Sequence, residues 1–317
     1  LFVGSSIWAL PLFNDDGSLT EGSKYLCQAL ELDGEITNAY QFMEFFEPFE
    51  YLDFSEPGFF DRTTKELCEK FNFNTKLDSI CEKVLKACEL LGMKQAVLPK
   101  KTKYDYVLIL GPDVKYTLIF QFIKSEMADI IVNNPGTKIF VVTSQRPLDP
   151  TIYSVNIIKQ LKERNWPQTE RYAIQLILER ELGQYQFTYE FIDGKENDEW
   201  RNMITRMIRD DEYAYSLQDS IKSLNLSPGA MVGVTINPFI ELHGHMLRDY
   251  LGHQWFEAGG TFEIIGHADD LNYNKILNNI KDQNIKSRRQ RATICYYLQI
   301  IASCASAEIK QLTVKEK

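Results

Sequence analysis

The histidines of this chain are concentrated in one short stretch. The chain has 317 residues and four histidines, which all lie between positions 243 and 267: His243, His245, His253 and His267. Histidine is the side chain best suited to proton transfer near neutral pH, and it is the commonest metal ligand in proteins. The segment 236–267 is therefore the first candidate for a chemical site.

Two short spacings within this segment suggest specific chemistry. His243 and His245 alternate, which on a strand would place both side chains on one face and would suit metal ligation. They follow Asn237-Pro238 and precede apolar residues at helical spacing, and on a helix the two side chains diverge by roughly 200°. His253 and Glu257 are four apart and share a face of a helix. An HxxxE spacing of this kind occurs in some nucleotidyl-transferring bacterial effectors.

The interpretation that we favour separates the histidines. In it, His243 and His267 line a cleft as hydrogen-bonding or acid–base groups, while His245 and His253 lie on an intervening helix. A purely structural cluster is the remaining alternative. Acid–base work is best done by a group whose pKa lies near the working pH, which is why these two imidazoles are the first candidates.

Five apolar runs of strand length could position such a cleft. They alternate with segments of helical periodicity and cover residues 104–110, 138–144, 187–192, 231–236 and 261–266. Strands that are apolar throughout and alternate with helices are typical of a parallel sheet covered on both faces. The sequence therefore predicts an α/β, Rossmann-like, doubly wound and mostly parallel sheet over residues 101–317. A helical N-terminal region, residues 1–100, is expected to pack on it.

The N-terminal region contains helical patterns and one aromatic segment. Helices are predicted for about 20–32 and 77–91, and Asp61 is expected to cap a shorter helix. Residues 42–60 are rich in Phe, Glu and Pro and are expected to form an aromatic-anchored connector. An alternative function follows from this segment: a non-catalytic interaction or effector module that docks a protein partner through residues 39–60.

Ligands of doubly wound sheets bind at the carboxyl ends of the strands, near the switch in strand order. The polar residues that follow the predicted strands are therefore the candidate ligand-binding groups. We expect Gly111 and Asp113 at the first turn, and Ser144 and Arg146 as an anion clamp. Thr169 and Glu170, at a helix start, would orient ligand hydroxyl groups. The remaining candidates follow the fourth and fifth strands: Asn237, His243, His267 and Asp269.

Composition narrows the class of protein and of ligand. A net charge of −9 and a pI of about 5.2 argue against a protein built to bind nucleic acid or an anionic membrane. The chain has no GxGxxG motif and no Walker loop, so hydride transfer with a dinucleotide cofactor is not expected. No cofactor and no metal are predicted, although a nucleotide-type ligand fits the proposed cleft.

The cysteines and the hydropathy of the chain give expectations about its cellular compartment. The six cysteines show no CxxC pair and are interpreted as small core residues of a protein in a reducing, cytoplasmic compartment. No apolar run reaches the length of a membrane span. The chain opens at Leu1, so a removed signal or anchor segment upstream, with a secreted or anchored protein, is the open alternative.

Taken in order, these loops resemble those of the SanA/YdcF/ElyC-type domain family. The resemblance covers roughly residues 104–305 and rests on the order of short motifs: an apolar strand with Gly111, the loop 143–149 (TSQRPLD), the helix start 167–171 (PQTER) and Asn237-Pro238. It implies a Rossmann-like fold with a polar cleft, a nucleotide-type small molecule and a link to bacterial envelope processes. The chain departs from the family at positions where that family has a second Gly, a nearby Arg and a further Gly; here stand Pro112, Asp113, Lys115 and Ser144.

The sequence therefore predicts a protein that binds a small anionic or nucleotide-like ligand in a polar cleft. If it is an enzyme, a hydrolase or group transferase fits the residue types best, with His243, His267 and Glu170 as the catalytic candidates. The HxxxE nucleotidyltransferase and a metallohydrolase stay as alternatives.

Overall fold

A computed structural model describes residues 11–32, 34–50, 59–110, 116–143, 147–148, 154–193, 224–268 and 277–315. Within these residues the contacts divide the chain into two compact units. Among the described residues, the first contains 11–32, 34–50, 59–95 and 277–315, and the second contains 96–110, 116–143, 147–148, 154–193 and 224–268.

The second unit is built on a parallel sheet. Among its described residues the sheet has five strands, all parallel, in the order β3-β2-β1-β4-β5: β1 Tyr106–Ile109, β2 Lys138–Thr143, β3 Tyr189–Asp193, β4 Ala230–Ile236 and β5 Thr261–His267. All five predicted strands are therefore present, and the predicted α/β, Rossmann-like class is confirmed. The central residues of β1, β2, β4 and β5 are almost all buried because helices cover both faces, which explains their continuous apolar runs, whereas the edge strand β3 is only partly buried.

The helices of the second unit connect these strands. A nearly continuous helical segment after β1 includes one π-helical turn, Ile123–Met127. The remaining helices follow β2 and β4. The helix that follows β4 is bent at Gly252, which has a φ of 64°. We number them after the four helices of the first unit: α5 Tyr116–Phe122, α6 Ala128–Val132, α7 Val155–Glu163, α8 Glu170–Leu182 and α9 Ile240–Glu257.

The two faces of the sheet carry different helices. Val232, Val234 and Ile236 of β4 belong to an apolar cluster with residues of α5, the π-helical turn and α8. The intervening residues of β4 face α9, where a Cβ on Gly233 would lie only 3.0 Å from Leu247 Cδ1. The alternation of side chains along each strand therefore decides which helix layer every site residue meets.

The first unit is helical. Its helices are α1 Glu21–Ala29, α2 Ala39–Glu50, α3 Phe59–Lys70, α4 Leu77–Leu90 and α10 Gln283–Lys315. The C-terminal helix α10 packs against α2, α3 and α4. The α/β domain predicted from the sequence includes residues 283–315, whereas their contacts group them with the N-terminal helices. The reason is the apolar face of α10, which is buried among those helices.

Two expectations for the N-terminal helices are wrong. Residues 39–50 form α2 rather than a connector, because Phe42, Phe46 and Phe49 recur at the i, i+4, i+7 spacing of one helix face. Asp61 lies inside α3 rather than at its N-cap, since that helix begins at Phe59.

The aromatic segment packs inward. Phe42, Phe46 and Phe49 are fully buried, and Phe49 stacks on Phe71 with ring centroids 5.1 Å apart. A docking surface on α2 would have to rely on Tyr40, which is exposed, and on the partly exposed Phe45. Two further aromatic residues of the predicted docking segment, Tyr51 and Phe54, lie outside the described residues.

Helix α10 is long and apolar. On length and composition alone the stretch Gln283–Lys310 passes as a membrane-spanning helix, because its most apolar 18-residue window has a mean hydropathy of 1.2, and it is the one such stretch in the described part of the chain. Its most apolar window is 72% buried inside the protein, as is typical of a core helix. The six cysteines, two of them on this helix, are all buried and unpaired by disulfides. The expectations of no membrane span and of a cytoplasmic location stay predictions.

Candidate ligand cleft at the carboxyl edge of the sheet

The strand order defines where a ligand would bind. The chain runs from β1 outward through β2 to β3, and then crosses to β4 and β5 on the other side of β1. The switch in strand order therefore falls between β1 and β4, at their carboxyl ends. The two strands are joined there by the backbone N–H of Leu110, which donates to the carbonyl of Val234 at 2.8 Å.

Asn237 lies at this edge. It directly follows β4, is 1% exposed, and precedes Pro238 through a cis peptide bond. Its backbone N–H donates to the carbonyl of His267 at 3.0 Å, which extends the ladder between β4 and β5 by one bond. Asn237 and His267, two of the candidate site residues, are therefore neighbours at this edge of the sheet.

His267 is the last residue of β5 and is partly buried. Its Nδ1 lies 2.6 Å from the carbonyl oxygen of Ala268. A carbonyl only accepts, so Nδ1 carries the proton, and in the neutral imidazole Nε2 is the acceptor. The edge of the ring faces Phe122 of α5, with centroids 6.4 Å apart. The tautomer of this side chain is therefore fixed by the backbone.

His243 has a different environment. It lies in the first turns of α9, and its Nδ1 is 2.8 Å from the hydroxyl oxygen of Thr235, a residue of β4 with no exposed surface. The ring stacks on Phe239 at a centroid distance of 5.6 Å. Complete burial lowers the pKa of His243 to about 4. The imidazole is thus neutral near pH 7, and the premise of its predicted acid–base role, an ordinary pKa, does not hold.

The sheet separates the two candidate histidines. Thr235 and its partner His243 lie on the α9 face, because Val234 and Ile236 point to the opposite face. His267 pairs with Ile236 in register and contacts Phe122, so it lies on the α5 face. The two imidazoles therefore lie on opposite faces of the sheet. A cleft on either face would contain only one of them, contrary to the expectation that both line one cleft. The period-2 alternation of strand side chains is the reason.

On the β2 and β3 side, part of the loop 143–149 contacts the helix start 167–171. The backbone N–H of Leu148 donates to the carbonyl of Gln168 at 3.0 Å, and Pro147 bridges to Thr169. Helix α8 leads to the start of β3, so its first residue, Glu170, lies at the carboxyl edge, where it is 5% exposed. Thr169 is the N-cap residue of α8, but its side chain makes no capping hydrogen bond to the helix.

The other two histidines lie on α9, as expected. His245 Nε2 is 2.9 Å from Glu241 Oε1, and both side chains are largely buried. His253 Nδ1 is 3.2 Å from Glu257 Oε1, with about two thirds of each side chain exposed, at 66% and 65%. Since α9 runs from the carboxyl end of β4 to the amino end of β5, the HxxxE pair lies at the edge of the sheet opposite to Asn237.

Half of the predicted site residues fall outside the described residues: Gly111, Asp113, Ser144, Arg146 and Asp269. Two buried polar groups at the carboxyl edge were missed by the sequence analysis. Thr143, 6% exposed, ends β2, and Thr235 lies near the end of β4. Each is a hydroxyl-bearing residue in a mostly apolar run, and this pattern could have identified it in the sequence.

Comparison of the chain with family models, with curated proteins and with solved structures found no match. The fold is that of a Rossmann-like α/β protein, with polar residues such as Asn237 and His267 near the strand-order switch. The resemblance to the SanA/YdcF/ElyC-type family stays a prediction, and a functional assignment has to rest on the site itself.

Proposed function

We propose that the protein binds a small anionic or nucleotide-like molecule at the carboxyl edge of its parallel sheet. The observation that carries this proposal is the strand order, which places a switch point between β1 and β4. In open α/β sheets such a point is where ligands bind, whatever the chemistry.

The polar groups near the switch point support a hydrogen-bonding ligand. Asn237, next to β4, and His267, at the end of β5, are neighbours through a backbone hydrogen bond. The contact of Nδ1 with the carbonyl of Ala268 holds the imidazole of His267 in place at this edge of the sheet. Arg146, in the loop after β2, would supply the positive charge that an anion needs.

If the protein is an enzyme, His267 is the better acid–base candidate of the two histidines. His243 is neutral, fully buried and bonded to Thr235, so it serves as a packing and hydrogen-bonding group near neutral pH. Glu170 is the candidate on the β2 side, where its carboxylate is placed at the start of α8. Hydrolysis or group transfer remains the reaction class that these residue types favour.

Isothermal titration calorimetry with ATP, AMP and inorganic phosphate tests the proposal. We expect saturable binding of at least one probe, and at least tenfold weaker binding, equivalent to about 1.4 kcal/mol, in Arg146→Ala and His267→Ala. His253→Ala is the matched control, because its imidazole lies at the opposite edge of the sheet, and it should bind like the unchanged protein.

Two results would contradict the proposal. One is the absence of binding for all three probes by a protein whose circular dichroism shows an intact fold. The other is an equal loss of affinity in His253→Ala and His267→Ala, since that would place the ligand away from the carboxyl edge. Retained binding in Arg146→Ala alone would remove only the anion clamp from the site.

A further inference from the structure

A cavity lies in the α/β unit, on the α8 face of the sheet. It has a volume of about 160 Å³ and lies between the sheet, α8 and the helical segment that contains the π-helical turn. Its wall is mainly aliphatic, with side chains from β1, the π-helical turn, α6, β2 and α8: Ile109, Ile123, Ile131, Ile139, Leu178 and Leu182. The mouth is formed near the amino end of β3 by Gln186, Phe187 and Tyr189.

The π-helical turn helps to form this wall. Ile123 and Ile131 are eight residues apart, and an unbroken α-helix would place them roughly 80° apart about its axis. The wider turn at Ile123–Met127 absorbs one residue, which reduces this angle to roughly 20°. Both side chains therefore face the same space. Turns of this type recur at functional sites.

The charges near the cavity are already satisfied. Glu179 is the one carboxylate among the lining residues, and its Oε2 lies 2.6 Å from Arg164 Nη1. Gln175 Nε2 donates to the other oxygen of this carboxylate at 3.2 Å. A ligand of this cavity thus has no unpaired charge to match within the described residues, and an uncharged molecule fits best.

We propose that this cavity is a binding site for a small, uncharged, apolar molecule with about the size of one aromatic ring. The volume of the cavity and its mainly aliphatic lining support a ligand of this kind. An enclosed aliphatic cavity of about 150 Å³ binds benzene, and the aliphatic part of this pocket, which lies behind a mouth at Gln186 and Phe187, has a volume that fits the same ligand. Close-packed protein interiors seldom leave such a space unfilled. This site is independent of the ligand cleft at the carboxyl edge.

Titration with benzene, followed by the methyl signals of isotope-labelled Ile and Leu, tests the proposal. We expect saturable shifts of the methyl signals of Ile123, Ile139 and Leu178. Leu178→Phe fills the cavity and should weaken benzene binding at least tenfold. Leu176→Phe is the matched control: it lies on the same helix but packs in a different apolar cluster, so it should leave the affinity unchanged.

Two further measurements keep the proposal falsifiable. Leu178→Ala enlarges the cavity, so it should bind indole more tightly than the unchanged protein does, whether or not Leu178→Phe folds. Benzoate carries the same ring with a negative charge and should bind at least tenfold more weakly than benzene. The proposal is overturned by the absence of saturable shifts up to the solubility of benzene, by equal effects of the two Phe variants, or by equal binding of benzoate.

Discussion

His243 Nδ1 lies 2.8 Å from the hydroxyl oxygen of Thr235, and this pair joins the first turns of α9 to the end of β4. One turn further along the helix, Leu247 packs over Gly233, two residues earlier in the strand. Residues that are four apart on α9 therefore contact residues that are two apart on β4. A neutral imidazole in this place is part of how the helix is held on the sheet.

The lowered pKa of His243 predicts a pH dependence of stability. Its folded pKa of about 4 lies below the ordinary value of 6.5, so the unfolded chain binds more protons between these two values. The free energy of unfolding should therefore fall as the pH falls through this window, by roughly 2 kcal/mol between about pH 7.5 and pH 5. Urea denaturation at several pH values measures this change.

Two histidine variants separate this effect from that of the carboxylates. His243→Gln should lose most of this pH dependence, whereas His253→Gln, which changes an exposed imidazole, should retain it. An unchanged pH dependence in His243→Gln would show that His243 is not the titrating group.

Replacing the hydroxyl group of Thr235 tests the hydrogen bond itself. Thr235→Val keeps the shape of the side chain but leaves a buried imidazole nitrogen without its partner, so we expect a loss of about 1–3 kcal/mol. Thr235→Ser keeps the hydroxyl group and should lose less. The free energy of unfolding measures both, and a larger loss in Thr235→Ser than in Thr235→Val would mean that the methyl group of Thr235 matters more than its hydroxyl group.

Gly266 is predicted to be intolerant of a side chain. A Cβ at this position would lie 2.4 Å from the carbonyl oxygen of Thr235, which is main chain and cannot rotate away. Gly266→Ala should therefore cost roughly 1–3 kcal/mol, as overpacking does. It should also shift the NMR signals of His267, because the adjoining strand ends have to separate.

Gly136→Ala is the control for this change, since a Cβ there meets nothing within 4 Å. We expect it to change the free energy of unfolding by less than about 0.5 kcal/mol. Comparable costs in the two variants would argue against the close approach of β4 and β5 at Gly266.

Glu308 is predicted to stabilise the first unit. Its carboxylate, on α10, accepts hydrogen bonds from the backbone N–H groups of Leu12 at 3.0 Å and Phe13 at 3.1 Å. Glu308→Ala leaves these buried donors without that acceptor and should cost at least about 2 kcal/mol. Glu89→Ala removes an exposed carboxylate that is paired with Lys86, and it should cost less than about 1 kcal/mol. Similar denaturation midpoints for the two variants would contradict the role of Glu308.

The sheet could be predicted from the sequence because its strands are buried on both faces. Runs such as 138–143 are apolar at nearly every position, and this pattern is specific for strands covered by two layers of helices. Helix α2 was harder to recognise, since its Phe residues are interrupted by Glu and Pro48. The spacing of those Phe residues, rather than the composition of the segment, indicated a helix.

The site was less predictable than the fold. Clustering in sequence suggested that His243 and His267 act together, but the face of the sheet that each one meets depends on register, which a sequence pattern does not give. The lowered pKa of His243 likewise depends on how completely α9 buries it against Thr235. The edge of the sheet at which these residues lie could be predicted. At the carboxyl ends of the strands lie Thr169, Glu170, Asn237 and His267.

The grouping of α10 with the N-terminal helices has a consequence for biosynthesis. The α/β unit is complete once residue 268 has been made, whereas the helical unit lacks its longest helix until residues 283–315 follow. Domains tend to fold as units while the chain emerges from the ribosome. The surfaces of α2, α3 and α4 that pack against α10 would therefore stay uncovered until residues 283–315 have been made.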